Sequence, residues 1–119
     1  MKRVVVTGGR NFDDWAMFQD VLIALDPDQV YVGDATGADA MARDWADHAG
    51  VCLEVFTADW DKHGKKAGPI RNAWMLDSAM RGIVNGDSLI VVAFPGGRGT
   101  DNCIKEAVAR NLIVLRVEP

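Results

Sequence analysis

The chain has 119 residues, 49% of them apolar, and carries a formal net charge of −4. This length and apolar content predict one domain over residues 1–119, with a single buried core. The acidic balance argues against a protein that coats phosphate backbones, because such binding needs clustered Lys and Arg, so nucleic acid is not expected as a main partner.

Short runs of β-branched and aliphatic residues recur along the chain and predict five strands buried on both faces of a parallel sheet. Strands that alternate with helices through short connections imply right-handed crossovers. The fold class is therefore α/β, a doubly wound, Rossmann-like sheet in the order 3-2-1-4-5 with helices on both faces. The predicted strands are Arg3–Thr7, Gln29–Val32, Val51–Phe56, Ser88–Phe94 and Leu112–Val117.

Apolar residues at steps of three or four predict the first two helices over Trp15–Leu25 and Ala38–Ala49, each with one face on the sheet. A third helix is expected to begin at Pro69, because proline's fixed φ and missing N–H suit the first helical turn. It should end near Gly82 or Gly86.

The fourth helix is expected to follow Gly99, with Thr100 as its N-cap, since a threonine hydroxyl can accept a backbone N–H there. The same periodicity predicts that Ile104, Ala107 and Val108 face the core.

Glycine-rich turns follow strands one, two and four. In doubly wound sheets, ligands bind beyond the carboxyl ends of the strands where the strand order reverses, here between strands one and four. Glycines let backbone N–H groups approach an anion, and a helix N-terminus adds positive partial charge, so the turns predict a phosphate cradle. Tight turns without a ligand are the alternative. The residues expected to bind are Gly8, Gly9, Arg10, Gly33, Asp34, Gly37, Arg71, Asn72, Pro95, Gly96, Gly97, Arg98, Gly99 and Thr100.

Residues 60–72 form a basic segment in an acidic protein: four Lys or Arg against one Asp give +3, which leaves −7 elsewhere. The positive charge of the segment could steer an anion toward the cleft. For Lys62, Lys65 and Lys66 taken one by one, the preferred interpretation is a solvated surface side chain. Arg71 differs, because it opens a helix and can point back at the cleft. Arg10 and Arg98 each carry a guanidinium fork that suits phosphate. The alternative is that both are surface arginines without a ligand.

Two carboxylates flank the second glycine turn. Asp34 and Asp39 could accept hydrogen bonds from ribose hydroxyls, activate a water or cap the helix, and capping is the preferred interpretation of Asp39. Trp60 could stack on a base, whereas Trp15, Trp45 and Trp74 lie on helical stripes typical of a core or an interface, which favours self-association.

Cys52 and Cys103 lie in neither a CxxC nor a Cys/His spacing, so we expect no disulfide framework, no metal and no cofactor. Reduced thiols favour a cytoplasmic protein. The run Val4–Val6 is too short for a signal peptide, and no later run nears the roughly 18 apolar residues of a membrane span, so a membrane partner is not expected.

Four motifs in order carry a resemblance to a known family: Gly8–Arg10, Gly33–Asp39, Ala67–Asn72 and the PGGxGT motif within Phe94–Thr100. With them the chain resembles the YspA-like branch of the SLOG superfamily, Rossmann-like relatives of the LOG phosphoribohydrolases and of the DNA-processing protein DprA/Smf. The resemblance implies a pocket for nucleotides or nucleotide-derived ligands, with Arg71 at the position of the family arginine and the last motif on the phosphate. It also implies a homodimer.

The phosphoribohydrolases carry a catalytic glutamate three residues after the motif threonine, and Cys103 stands there in this chain. A neutral thiol cannot stabilise an oxocarbenium or activate water as a carboxylate does. The leading hypothesis is therefore a module that binds or senses a nucleotide-like small molecule. The first alternative is a hydrolase of an N-glycosidic or phosphoribosyl bond that acts through Asp39, Asp101 and Arg71. The second is single-strand DNA binding as in DprA, ranked last because the protein is acidic.

Overall fold

The computed structural model describes residues 1–118 and contains a five-stranded, all-parallel sheet in the order β3-β2-β1-β4-β5. This order confirms the predicted doubly wound fold. The sheet places β1 at its centre, between β2 and β4, so the strand order reverses beside β1. The strands are β1 (Lys2–Thr7), β2 (Gln29–Gly33), β3 (Cys52–Phe56), β4 (Ser88–Ala93) and β5 (Ile113–Arg116).

Helices cover both faces of the sheet and form two core clusters. One cluster joins side chains of β1, β2 and β4 to the first two helices, with Phe18 and Ala42 fully buried. The other joins the opposite face to the last two, with Met75 and Ala107 fully buried or nearly so. The helices are α1 (Trp15–Leu25), α2 (Ala38–Ala49), α3 (Trp60–His63), α4 (Ala67–Met80) and α5 (Arg98–Ala109), and a 3₁₀ turn at Gly64–Lys66 joins α3 to α4.

The segment before α4 differs from the prediction. Instead of a loop up to Pro69, it holds α3 and the 3₁₀ turn, so α4 begins earlier, at Ala67. The Asp59 carboxylate starts α3 by accepting a hydrogen bond from the Lys62 N–H at 3.1 Å. The glycines and charges of this stretch predicted a loop, but the Asp59 cap allows it to form a short helix.

The start of α5 also differs. Gly97 occupies the N-cap position and Arg98 is the first helical residue, so Thr100 lies inside the first turn, where it is buried and does not cap the helix. Ile104 and Ala107 face the core as predicted, but Val108 is exposed.

The two edge strands are not buried on both faces, contrary to the prediction. Leu53 and Val55 of β3 are exposed, as are Ile113 and Leu115 of β5. Both apolar runs do form strands. Each edge strand lacks one neighbouring strand, however, and the helices cover mainly the centre of the sheet, so part of each edge strand stays exposed. Among residues 1–118, no helix has the length and apolar character needed to cross a bilayer.

Candidate functional site

A cavity of about 780 Å³ opens at the carboxyl ends of the strands, between the turns that follow β1 and β4. This is the reversal point at which ligands bind in doubly wound sheets. All three predicted glycine turns reach its wall. The predicted residues in the lining are Gly8, Gly9, Arg10, Gly33, Asp39, Arg71, Asn72, Pro95, Gly96, Gly97, Arg98, Gly99 and Thr100.

Three predicted residues do not line this cavity. Asp34 and Gly37 lie in the turn after β2, where Asp34 pairs with Arg71 and Gly37 packs against the first turn. Asp101 lies in a separate depression on α5 beside Lys105. The structure therefore brings Asp39 and Arg71 to one cavity wall without the third member of the predicted catalytic set.

Several glycines are required because the turns pack directly on one another. The Gly9 N–H donates to the Pro95 carbonyl at 2.9 Å, and the Gly9 carbonyl accepts from Ala38 N–H at 3.1 Å. A Cβ on Gly96 would lie 2.7 Å from the Gly9 nitrogen. Gly37 has a φ of 69°, in the left-handed region that favours glycine. At these positions the packing of the tight turns explains the glycine without a ligand. The Gly9 N–H already donates to the Pro95 carbonyl within the protein.

Gly97 and Gly99 differ from the other glycines. A Cβ built on either one meets no atom within 4 Å. They lie at the start of α5, whose first N–H groups have no intrahelical partner, and no side chain of the described residues caps this helix. These N–H groups and the partial positive charge of the helix N-terminus are thus the part of the cradle that is open to an anion.

Arg71 crosses the wall between the second turn and α4. Its Nη1 donates to the Asp34 carboxylate at 3.1 Å and to the Phe56 carbonyl at 3.4 Å, and its Nε donates to Asn72 Oδ1 at 2.9 Å. A Cβ on Gly33 would lie 2.5 Å from Nη1, so the guanidinium occupies the space of the missing side chain. Arg71 thus lies in the cavity wall with its guanidinium paired to protein groups, and its role toward a ligand stays a prediction.

Asp39 is a carboxylate with only 6% of its surface exposed, in the first turn of α2. It is not the N-cap of α2, which is Gly37; instead its Oδ2 accepts a hydrogen bond from the Ala35 N–H at 3.2 Å and closes the preceding turn. Burial raises the pKa of Asp39, while the Ala35 hydrogen bond and the charges of Arg71 and Arg43 oppose that shift. The cavity wall thus holds a carboxyl with a strengthened affinity for its proton.

Cys103 lies below the cavity wall and does not line it. The residue is fully buried in the second core cluster with Met75 and Leu76, and burial raises the pKa of its thiol to about 11. The position that holds a glutamate in the phosphoribohydrolases is here part of the apolar core.

The basic segment contributes Arg71 and Asn72 to the lining, but its lysines do not reach the cavity. Lys62, Lys65 and Lys66 are exposed. Trp60 is also exposed, with its ring tip over Gly68. The structure brings none of these four side chains to the cavity.

The second half of the connection between β1 and α1, residues 11–14, also lines the cavity, and the sequence did not predict it. Phe12 packs against Phe94 with ring centroids 5.2 Å apart, and Asp14 caps α1 by accepting from the Met17 N–H at 3.0 Å. Asn11 and Asp13 complete this wall. The signal available was the seven-residue gap between β1 and α1, longer than a tight βα turn needs.

Two comparisons with known proteins bear on this site. The sequence model of the YspA, cpYpsA-related SLOG family matches residues 2–63. The chain belongs to this family. The "Gene 61 protein" of Mycobacterium phage D29 is 36% identical over 127 aligned positions, which cover 97% of this chain and 95% of that protein. The resemblance to the YspA-like SLOG branch is thereby confirmed. The SLOG family match ends before Arg71 and the last glycine turn, so the roles of those residues stay predictions.

Proposed function

We propose that the chain binds a nucleotide or nucleotide-derived phosphate ligand in the cavity at the carboxyl ends of the strands, as a binding or sensing module. The observation that carries the proposal is the meeting of three glycine turns and an uncapped helix N-terminus at one cavity. Its volume of about 780 Å³ is that of a small-molecule site, which spans about 300–1,000 Å³. Membership in a SLOG family supports a nucleotide-related role.

The charges of the lining favour a phosphate at one part of the cavity and not throughout it. Arg98 is exposed at the start of α5, beside its open N–H groups, and Arg10 is exposed at the turn after β1. Asp13 and Asp14 lie on the connection to α1. An elongated ligand with one anionic end fits this distribution better than a uniformly charged one.

The apolar part of the lining suits the rest of such a ligand. Phe12 and Met17 line the cavity from the α1 side, and Met75 does so from α4. Apolar walls with a few converging polar groups are typical of nucleotide and cofactor pockets. We therefore assign the phosphate to the start of α5 and the sugar or base to the cavity beyond it.

Calorimetry against AMP, ADP-ribose, NAD and cyclic nucleotides tests the proposal. At least one should give a saturable complex, and Arg98→Ala should weaken it roughly tenfold, the loss expected for one charge-assisted hydrogen bond. Arg81→Ala is the matched control, because Arg81 is exposed beyond the end of α4 and outside the cavity lining. If folded protein gives no binding heat with any of these nucleotides, the proposal of nucleotide binding is contradicted.

A second candidate function is hydrolysis of an N-glycosidic or phosphoribosyl bond, favoured by Asp39. A buried carboxyl whose pKa is raised, beside Arg71 in a cavity, can hold the proton that a leaving base needs. Incubation with nucleoside monophosphates should then release free base, detected by chromatography. Asp39 lies at the cavity and Asp101 does not, so Asp39→Asn should abolish the activity and Asp101→Asn should keep it. If wild-type protein releases no free base, this candidate function is removed.

We further propose that the protein forms a homodimer. Ile70 and Trp74 lie one helical turn apart on α4 and are 43% and 53% exposed, and Trp60 is exposed nearby. Large apolar side chains grouped on one helix are typical of a contact surface. Light scattering coupled to gel filtration should give twice the chain mass for wild type and a smaller mass for Trp74→Lys; a wild-type monomer at micromolar concentration would contradict it.

A further inference from the structure

The side-chain amide of Asn72 connects two parts of the cavity wall. Asn72 lies on α4 directly after Arg71 and is 3% exposed. Its Oδ1 accepts a hydrogen bond from Arg71 Nε at 2.9 Å. Its Nδ2 donates to the Gly99 carbonyl at 3.3 Å and to Asn102 Oδ1 at 3.0 Å, both on α5. One amide thus binds the guanidinium on one side and the first turn of α5 on the other.

Only one orientation of this amide satisfies its neighbours. Rotating it by half a turn would set the Nδ2 donors against the Arg71 Nε–H and the Oδ1 acceptor against the Gly99 carbonyl. Both N–H donors of Nδ2 have protein partners in the observed orientation. Although Asn72 is part of the cavity lining, its donors are used to hold protein groups.

The connection continues to the turn after β2. Arg71 Nη1 donates to Asp34 Oδ1, so a polar chain runs from Asp34 through Arg71 and Asn72 to the Gly99 carbonyl. The Arg71 side chain is only 13% exposed, and little solvent competes with these bonds. A displacement of Arg71 therefore changes the partner of the amide that holds the start of α5.

We propose that Asn72 is a positioning residue that couples the guanidinium of Arg71 to the N-terminal turn of α5, so that both bind one anion together. The inference rests on the proposed function for its ligand. It adds that the open N–H groups near Gly99 and the charge of Arg71 are not independent. A ligand phosphate that orders one orders the other.

A measurement without ligand tests the coupling directly. In ¹⁵N-labelled protein the Arg71 Nε–H signal, assigned by its loss in Arg71→Lys, should be sharp and slow to exchange with water, because it is hydrogen-bonded in a buried position. Asn72→Ala should broaden it or speed its exchange. Asn72→Asp keeps an acceptor for Nε, so it should retain the Arg71 signal while shifting the Gly99 and Thr100 amide signals.

The matched control is Asn102→Ala, which removes one partner of Nδ2 and leaves the Gly99 and Arg71 bonds. It should leave the Arg71 signal unchanged. An Arg71 signal that is the same in wild type and Asn72→Ala overturns the proposal. If Asn72→Ala does not fold, loss of the Arg71 signal in Asn72→Asp overturns it equally.

Titration with AMP measures the consequence for binding. Asn72→Ala should weaken AMP binding roughly tenfold, as for the loss of one charge-assisted hydrogen bond, but by much less in an Arg71→Lys background. Equal losses in both backgrounds overturn the coupling. If wild type binds no AMP or other nucleotide, the proposed function fails, whereas the Arg71 signal still decides whether Asn72 couples the two groups.

Discussion

At the scale of single residues, the glycines of the cavity divide into two groups with different physical roles. Gly9 and Gly96 have no side chain because two turns touch there, whereas Gly97 and Gly99 face open space. The sequence could predict the glycine turns but not this division, because whether a Cβ meets a neighbour depends on a turn distant in the chain. Alanine substitutions in the two groups of glycines should therefore have opposite effects on stability.

Gly99→Ala should stabilise the protein by about 0.5–1 kcal/mol, because alanine is favoured over glycine inside a helix and nothing obstructs its methyl group. The same methyl group should weaken phosphate binding at the start of α5. Gly96→Ala should instead destabilise by about 1–3 kcal/mol, because its Cβ would lie 2.7 Å from the Gly9 nitrogen. Urea denaturation checks both values, and a destabilised Gly99→Ala would contradict the open site.

The raised pKa of Asp39 gives a prediction for pH dependence. Because the folded protein holds this proton more tightly than the unfolded chain, stability from this group is full at acid pH. It is lost as the pH rises from the ordinary aspartate pKa of 3.8 through the raised pKa of Asp39 in the folded protein. Asp39→Asn cannot ionise and should lose less stability over that interval.

Urea denaturation of wild type and Asp39→Asn between about pH 4 and pH 8 measures the difference. The exposed carboxyl Asp20 of α1 provides the control, and Asp20→Asn should follow wild type across this range. A wild-type protein that gains stability over Asp39→Asn as pH rises would show that Arg71 and Arg43 outweigh burial at this site.

At the scale of elements, helix ends position the cavity wall more than helix interiors do. The sequence predicted α1 and α2 within a residue or two, because their apolar stripes are regular. It missed α3, which begins at the Asp59 cap, and the early start of α4, which has no side-chain cap. It also took Thr100 for a cap, whereas the tight approach of the turns after β1 and β4 puts Gly97 at that position.

The N-cap of α1 provides the test at this scale. Asp14→Ala should destabilise the protein by about 1 kcal/mol, because the Met17 N–H loses its acceptor at the cavity wall. Asp13→Ala removes the neighbouring carboxylate but no side-chain cap, and it should change stability much less. Thermal unfolding of the two variants makes the comparison, and equal losses would contradict a specific cap.

At the scale of the whole molecule, two cores on opposite faces of one sheet hold the cavity at its edge. The second core includes Cys103, whereas Cys52 lies exposed on β3. The cysteines therefore report on different parts of the structure. One is accessible in the folded protein, and the other becomes accessible only when α5 leaves the sheet.

A thiol titration tests this arrangement. Dithionitrobenzoate should react with one thiol per folded chain and with a second after unfolding in guanidinium. Burial blocks Cys103 and raises its pKa to about 11, which keeps the unreactive thiol form. In Cys52→Ser the folded protein should show no fast reaction. Rapid labelling of both thiols in native wild type would show that the second core opens readily.

The sequence by itself determined the parallel sheet and its order, because apolar runs and helical stripes are set by local chain segments and right-handed crossovers restrict how those segments connect. It also predicted the edge of the sheet at which the cavity opens. Tertiary structure decided what lies at that edge. It placed Asp101 on another surface, set Cys103 into the core, left the lysines outside the cavity and joined Arg71 to α5 through Asn72. These outcomes depend on distances between segments far apart in the chain, which neither periodicity nor motif spacing specifies.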